Sequence, residues 1–190
     1  MEYQLESYSV AYTFDSKKVI DSDRKRGLMN LYSDYEAYKG KDFVSFEGED
    51  SKAKFHSYGF AIEEKDLNKI QRIIKSIQKL FSINLSDNKR AGSLSVVYIM
   101  FIEDLAEQAR LFMRFVKNKN IIISRLEIYD QISEDKNSLI DFKSTSEGVY
   151  ITYSVSLGDV DNIDHIVNDI ECHMKNKIVN TMFEGVSYEF

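Results

Sequence analysis

The sequence SLSVVYIMFIEDLAEQARLFMRFVK, residues 93–117, is the most hydrophobic long segment of this 190-residue chain. Apolar residues surround Glu107 and Arg110, which lie three positions apart within it. On a helix, residues at i and i+3 share one face. The segment therefore predicts a central buried helix that presents a carboxylate and a guanidinium side by side.

Two interpretations of this pair are open. Carboxylates and guanidiniums are rarely buried unless they are paired or functional, so Glu107 and Arg110 are candidate catalytic residues. Alternatively, they form a structural i,i+3 ion pair at the edge of the helix, which would contribute only a few tenths of a kcal/mol.

The rest of the chain mixes strands and helices without strict alternation, which predicts the α+β class. Alternating apolar residues indicate strands at 3–14, 53–62 and 149–156, with short strands joined by a turn between 28 and 46. Helical spacing of apolar residues predicts amphipathic helices at 63–81 and 160–174, the second capped by Asp159. We expect a single domain over residues 1–190: mixed N-terminal strands, a central buried helix and a C-terminal strand-helix unit.

Composition favours a folded, soluble protein. Hydrophobic residues make up 43% of the chain and charged residues 29%, which is typical of globular domains. We find neither an apolar run of about 18 residues nor the pattern of a signal peptide. We therefore expect no membrane partner and a cytoplasmic location, or secretion after removal of a leader. The single cysteine, Cys172, excludes an internal disulfide.

The net charge of −6 argues against a general nucleic-acid binder. Its distribution is uneven, because residues 89–125 carry seven positive and three negative side chains, which leaves −10 for the remainder. The basic residues are either a solvated face or a local platform for a phosphate backbone. The candidate nucleic-acid-binding residues are Arg114, Lys117, Lys119 and Arg125.

Several segments between residues 28 and 174 together resemble the ribosome-inactivating proteins, the rRNA N-glycosidases typified by the Shiga toxin and ricin A chains. Their hallmark is Glu-x-x-Arg on a buried helix, which stands here as Ala106-Glu107-Gln108-Ala109-Arg110. Tyr32 and Tyr58 lie where the family has its two active-site tyrosines, and Phe142 lies where it has a tryptophan. The resemblance implies a reduced version of that α+β fold and removal of one adenine from ribosomal RNA.

The resemblance also implies a role for each residue. Glu107 would stabilise an oxocarbenium-like ribose and polarise the attacking water, and Arg110 would donate to the leaving adenine. Tyr32 and Tyr58 would sandwich the base, with Phe142 as a wall of the pocket. The sequence departs from the family at Leu111, where an aromatic residue normally follows the arginine, and at Phe142, which lacks the indole hydrogen-bond donor.

No cofactor or metal is expected. His165, Cys172 and His173 are the nearest approach to a metal site, but a fourth ligand is missing. The sequence therefore indicates two possible functions. The first is an rRNA N-glycosidase whose partner is the ribosome. The alternative is a non-enzymatic acidic inhibitor or immunity protein of a phage or mobile element, which binds a nuclease, toxin or defence complex by charge complementarity.

Overall fold

The computed structural model of the protein describes residues 3–85, 92–112, 125–134, 136–157 and 162–184. Contacts along the chain divide it into two compact units. The N-terminal unit comprises Ser7–Leu94 and Ser156–Asp161. The C-terminal unit comprises Met1–Glu6, Ser95–Val155 and Asn162–Phe190.

The described residues contain both helices and antiparallel strands, so the predicted α+β class is confirmed. In chain order the elements are β1 (Tyr3–Thr13), α1 (Ser22–Leu31), β2 (Glu36–Lys39), β3 (Phe43–Glu47), β4 (Lys52–His56), β5 (Gly59–Glu64), α2 (Leu67–Phe81), β6 (Gly92–Met100), α3 (Leu105–Phe112), β7 (Arg125–Ser133), β8 (Lys136–Ser144), β9 (Val149–Leu157), α4 (Ile163–His173) and a π-helix (Met174–Glu184).

In the N-terminal unit the strands lie in the order β2-β3-β4-β5-β1, and each neighbouring pair is antiparallel. Side chains of a strand point alternately to its two faces. One cross-strand row of this sheet, Phe46, Ala53, Ile62 and Val10, is buried throughout. The neighbouring row on the opposite face contains Ser45, which is half-buried, and Lys54 and Ala61, which are exposed to solvent.

Helix α2 covers the buried face of this sheet. Its apolar residues recur at helical spacing, and five of them are buried: Ile70, Ile73, Ile74, Ile77 and Phe81. The Asp66 side chain caps the first turn by accepting from the backbone N–H groups of Asn68 and Lys69. The helix ends at Ser82, which adopts the left-handed conformation. The predicted helix at 63–81 therefore begins four residues later, because β5 extends to Glu64.

In the C-terminal unit the strand order is β6-β9-β8-β7. The β7–β8 and β8–β9 pairs are antiparallel, and they place Ile140 opposite both Ile128 and Tyr153. These three side chains are buried together with Phe142. Helix α4 contributes Ile163, Ile166, Val167 and Ile170 to buried positions. The chain then continues as the π-helix, in which Met174, Ile178 and Thr181 are buried.

The predicted central helix at 93–117 is wrong for its first half. Residues Gly92–Met100 form strand β6, in which Leu94, Val96 and Tyr98 are buried while Ser93 is exposed. The alternation has a period of two, and β-branched residues favour a strand. Only Leu105–Phe112 are helical, and the predicted part at 113–117 lies outside the described residues.

Several other predicted boundaries change. The segment 53–62, predicted as one strand, is the hairpin of β4 and β5. Gly59 begins β5 directly after the turn, and it approaches the Tyr12 carbonyl too closely to carry a Cβ atom. Residues 28–31, expected to begin a strand, complete helix α1. Residues 131–138, read as a loop, contain the end of β7 and the start of β8. The proposed cap of the last helix, Asp159, lies outside the described residues.

Candidate functional site

Helix α3 carries the Glu-x-x-Arg sequence and begins with a local cap. The Asp104 carboxylate accepts a hydrogen bond from the backbone N–H of Ala106 at 2.8 Å. The Asp104 carbonyl accepts from the backbone N–H of Gln108 at 3.0 Å. The first bond satisfies a donor that the first turn of a helix leaves unpaired, and the second is the first regular bond of the helix, so Asp104 is the N-cap of α3.

The buried polar residue of α3 is Gln108, which lies between the two residues singled out by sequence. Its side chain is fully buried, and its amide nitrogen donates to the carbonyls of Ile102 and Thr145, the second at 3.0 Å. Gln108 therefore joins the segment before α3 to the turn between β8 and β9. A glutamine between Glu107 and Ala109 gave no signal of this role in the sequence.

Glu107 and Arg110 are on α3, as the prediction requires, but neither is buried. Glu107 is half-buried and Arg110 is exposed. In the described part of the chain no ion pair joins them. Water therefore reaches both side chains. They lie on a helix of eight residues rather than on the long buried helix that the sequence predicted.

The three aromatic residues of the proposed base pocket have different environments. Tyr32, in the N-terminal unit, is 3% exposed and stacks on Phe46 with ring centroids 4.6 Å apart. Tyr58, in the same unit, follows strand β4 and is 55% exposed. No ring contact between Tyr32 and Tyr58 is found among the described residues. Phe142, in the C-terminal unit, lies on β8 and is fully buried.

Of the four candidate nucleic-acid-binding residues, Arg114, Lys117 and Lys119 lie outside the described residues. Arg125 is on the exposed face of β7. Its guanidinium lies 2.9 Å from the Asp141 carboxylate and 2.8 Å from Glu127. These carboxylates raise the pKa of Arg125 and occupy its donors, so it is already paired within the C-terminal unit.

Hydrophobic side chains are exposed at the start of α3. Phe101 is 53% exposed and Leu105 is 60% exposed, whereas Ile102 between them is 4% exposed. The carboxylates of Glu103 and Asp104 are exposed in the same segment. The segment 101–105 thus combines two large apolar groups with two negative charges on the surface.

A second cluster that sequence reasoning missed joins three elements of the C-terminal unit. His173, the last residue of α4, places Nδ1 3.0 Å from the Tyr153 hydroxyl and Nε2 2.8 Å from the Asp130 carboxylate. Because a carboxylate only accepts, the Nε2–H donates to Asp130 and the Tyr153 hydroxyl donates to Nδ1. Burial lowers the pKa of His173, and the neighbouring Asp130 acts in the opposite direction. Since Tyr153 is fully buried, the cluster is suited to holding α4 against the sheet rather than to chemistry on a substrate.

The N-terminal unit contains a buried carboxylate of its own. Glu64 lies at the end of β5 and is 2.6 Å from the Lys69 ammonium on α2, whose nitrogen also contacts the Tyr35 hydroxyl.

On the exposed face of the same sheet, a shallow pocket of about 220 Å³ lies over Ser9, Ser45 and Ala61. None of the predicted site residues lines it.

Charge is distributed differently in the two units. Among the described side chains, the N-terminal unit has twelve acidic and fourteen basic residues. The C-terminal unit has twelve acidic and six basic residues. Eight of these twelve carboxylates form no ion pair with a described residue: Glu6, Glu103, Asp104, Glu107, Glu134, Glu147, Asp164 and Glu171.

The described helices include none that is both long and apolar enough to cross a membrane. Within the described residues, no group of three metal-ligating His, Cys, Asp or Glu side chains is found. The sequence matches no protein-family model, and the search among curated proteins gave no match.

Proposed function

We propose that this chain is a non-enzymatic acidic binding protein of the inhibitor or immunity type, and that its C-terminal unit contacts a basic protein such as a nuclease or toxin. The observation that carries the proposal is the set of eight carboxylates in that unit without a cationic partner among the described residues. Unpaired surface charges of one sign create a field that steers and selects a partner of opposite charge.

Other observations agree with a binding role. Among the described side chains of this unit, acidic residues outnumber basic ones two to one, so its unpaired carboxylates leave a net negative charge on the surface. The same negative field repels a phosphate backbone, which disfavours nucleic acid as the main partner of this unit. A basic protein surface can pair with the carboxylates and can also cover the exposed hydrophobic side chains of segment 101–105.

The experiment compares two matched sets of four substitutions. One set neutralises exposed carboxylates of the C-terminal unit: Glu103→Gln, Glu134→Gln, Asp164→Asn and Glu171→Gln. The control set neutralises exposed carboxylates of the N-terminal unit that form no ion pair with a described residue: Asp23→Asn, Asp34→Asn, Asp42→Asn and Glu49→Gln. Each protein is tested by surface plasmon resonance against a panel of basic nucleases and toxins.

We expect at least one basic protein of the panel to bind, with an affinity that falls as salt is added. The first set should weaken this binding at least tenfold, while the control set changes it less than threefold. Absence of binding across the panel, or equal effects of the two sets, would contradict the proposal.

The rRNA N-glycosidase function is kept as a second candidate because Glu107 and Arg110 lie on one helix and both are reached by water. It has less support, because a stacking platform must offer an open ring face, whereas Tyr32 is buried and already stacked on Phe46. Adenine release from bacterial and eukaryotic ribosomes, measured with wild type and with Glu107→Gln, tests it. Release that disappears in the variant would establish the enzyme and displace the binding proposal.

A further inference from the structure

We infer that segment 101–105 is the contact surface of the C-terminal unit, and that its partner is a protein surface with an apolar pocket bordered by Lys or Arg. This inference rests on the proposed binding function and assigns it to particular residues. The contact residues that we infer are Phe101, Glu103, Asp104 and Leu105.

The first observation is the exposure of two large apolar side chains close together in sequence. Single exposed hydrophobic residues are common on protein surfaces and need no explanation. Here Phe101 and Leu105, both more than half exposed, flank a buried Ile102 and two exposed carboxylates. Aromatic residues, Phe among them, are enriched at protein interfaces, and apolar groups dominate the buried centre of such contacts.

The second observation is that hydrogen bonds hold the segment in place. The Gln108 side-chain amide donates both to the Ile102 carbonyl of the segment and to the Thr145 carbonyl of the turn between β8 and β9. At the start of the segment, Gly148 approaches the Met100 carbonyl so closely that an added Cβ atom would lie 2.0 Å from it. Asp104 fixes the end of the segment by capping α3. Because the segment is already ordered, it loses little conformational entropy when a partner binds.

The third observation is charge, which selects among partners. Glu103 and Asp104 form no ion pair with a described residue, and the unit that carries them has an excess of carboxylates. An anionic lipid surface or a nucleic acid would be repelled. A protein pocket bordered by Lys or Arg pairs with the carboxylates and buries Phe101 and Leu105 at the same time.

The test uses two labelled amphipathic helical peptides as probes, one built from leucine and lysine and the other from leucine and glutamate. Fluorescence anisotropy compares the wild-type protein with the double variant Phe101→Ser, Leu105→Ser. The control variant is Tyr129→Ser, which removes another exposed aromatic side chain of the same unit, 79% exposed on β7. Circular dichroism and thermal melting confirm that both variants are folded.

We expect the leucine-lysine peptide to bind wild type and the leucine-glutamate peptide not to bind. The double variant should weaken binding at least tenfold, and Tyr129→Ser should change it less than twofold. If the four carboxylate substitutions of the C-terminal unit abolish binding while the double variant does not, segment 101–105 is not the contact surface. The proposed acidic binding function would still be supported. Self-association of wild type that the double variant abolishes would also overturn the inference, because the occupant would then be a second copy.

Discussion

Asp130 and His173 are joined by a hydrogen bond of 2.8 Å between the carboxylate Oδ2 and the ring Nε2. The bond links edge strand β7 to the last residue of α4, at the point where the helix changes from α to π. The other ring nitrogen accepts from Tyr153, so a neutral His173 satisfies both partners. A protonated ring keeps the bond to Asp130 but can no longer accept from Tyr153.

This geometry predicts that stability falls at mildly acidic pH. Burial lowers the pKa of His173 in the folded protein, so below about pH 6.5 the unfolded chain binds more protons than the folded one. The contribution of neutral His173 to the free energy of unfolding is therefore complete above about pH 6.5, and it is lost as the pH falls towards the lowered pKa of the folded protein. Urea unfolding from pH 8 to pH 5 measures this.

The variant that tests this replaces the ring by an amide that does not titrate. His173→Gln should lose less stability on acidification than wild type. Identical pH dependence of wild type and His173→Gln would show that His173 does not titrate in this range.

Replacement of Tyr32 by phenylalanine should stabilise the protein. The Tyr32 hydroxyl is buried and has no hydrogen-bond partner among the described residues, and burial raises the pKa of this phenol. Removing an unsatisfied buried hydroxyl should raise the free energy of unfolding by about 1 kcal/mol, because the stack on Phe46 is retained. Chemical denaturation measures the change.

The matched substitution is Tyr153→Phe, which should have the opposite sign because its hydroxyl donates to His173. A loss of about 1 kcal/mol is expected. Destabilisation by Tyr32→Phe would indicate a partner for that hydroxyl that the geometry does not provide.

Replacement of Gln108 should destabilise the protein more than replacement of its charged neighbours. Gln108→Leu removes the donor that pairs with the carbonyls of Ile102 and Thr145, and loss of the buried Oε1, which has no partner among the described residues, offsets part of this, so a net cost of about 1 kcal/mol is expected. By contrast, Arg110→Ala should change stability by less than about 0.5 kcal/mol, because the side chain is exposed and makes no ion pair with a described residue. Thermal and urea unfolding of both variants compare them directly, and an equal loss in the two would refute the role assigned to Gln108.

Glu107→Gln should leave partner binding unchanged within about twofold if binding depends on segment 101–105, because Glu107 is half-buried and lies beyond that segment. Titration of the leucine-lysine peptide with this variant measures the effect. A tenfold loss would place Glu107 within the contact surface and extend it along α3.

Sequence patterns gave the α+β class and the position of α2 because α2 has a clear helical repeat of buried isoleucines. They failed at 93–117, where apolar residues are so frequent that a period of two and a period of 3.6 both fit. In β6 the polar residues on the exposed face are small serines, so the alternation is faint. The helix begins only where Asp104 provides a cap.

The candidate site was harder to predict than the fold. Gln108 and His173 each join elements through hydrogen bonds to residues that lie far from them in sequence. Gln108 donates to the Thr145 carbonyl, and His173 bonds to the side chains of Tyr153 and Asp130. Such contacts leave no local pattern. The excess of acidic residues was visible in the composition, but its concentration in the C-terminal unit depends on how the chain divides.

The most direct test of the acidic binding role is the dissociation constant for a basic partner from the panel, measured for wild type and for the four-carboxylate variant of the C-terminal unit at about 0.05 M and 0.3 M salt. Weaker binding by wild type at the higher salt, and loss of most of that salt dependence in the variant, is the expected result. Equal affinity of both proteins at both salt concentrations would contradict it.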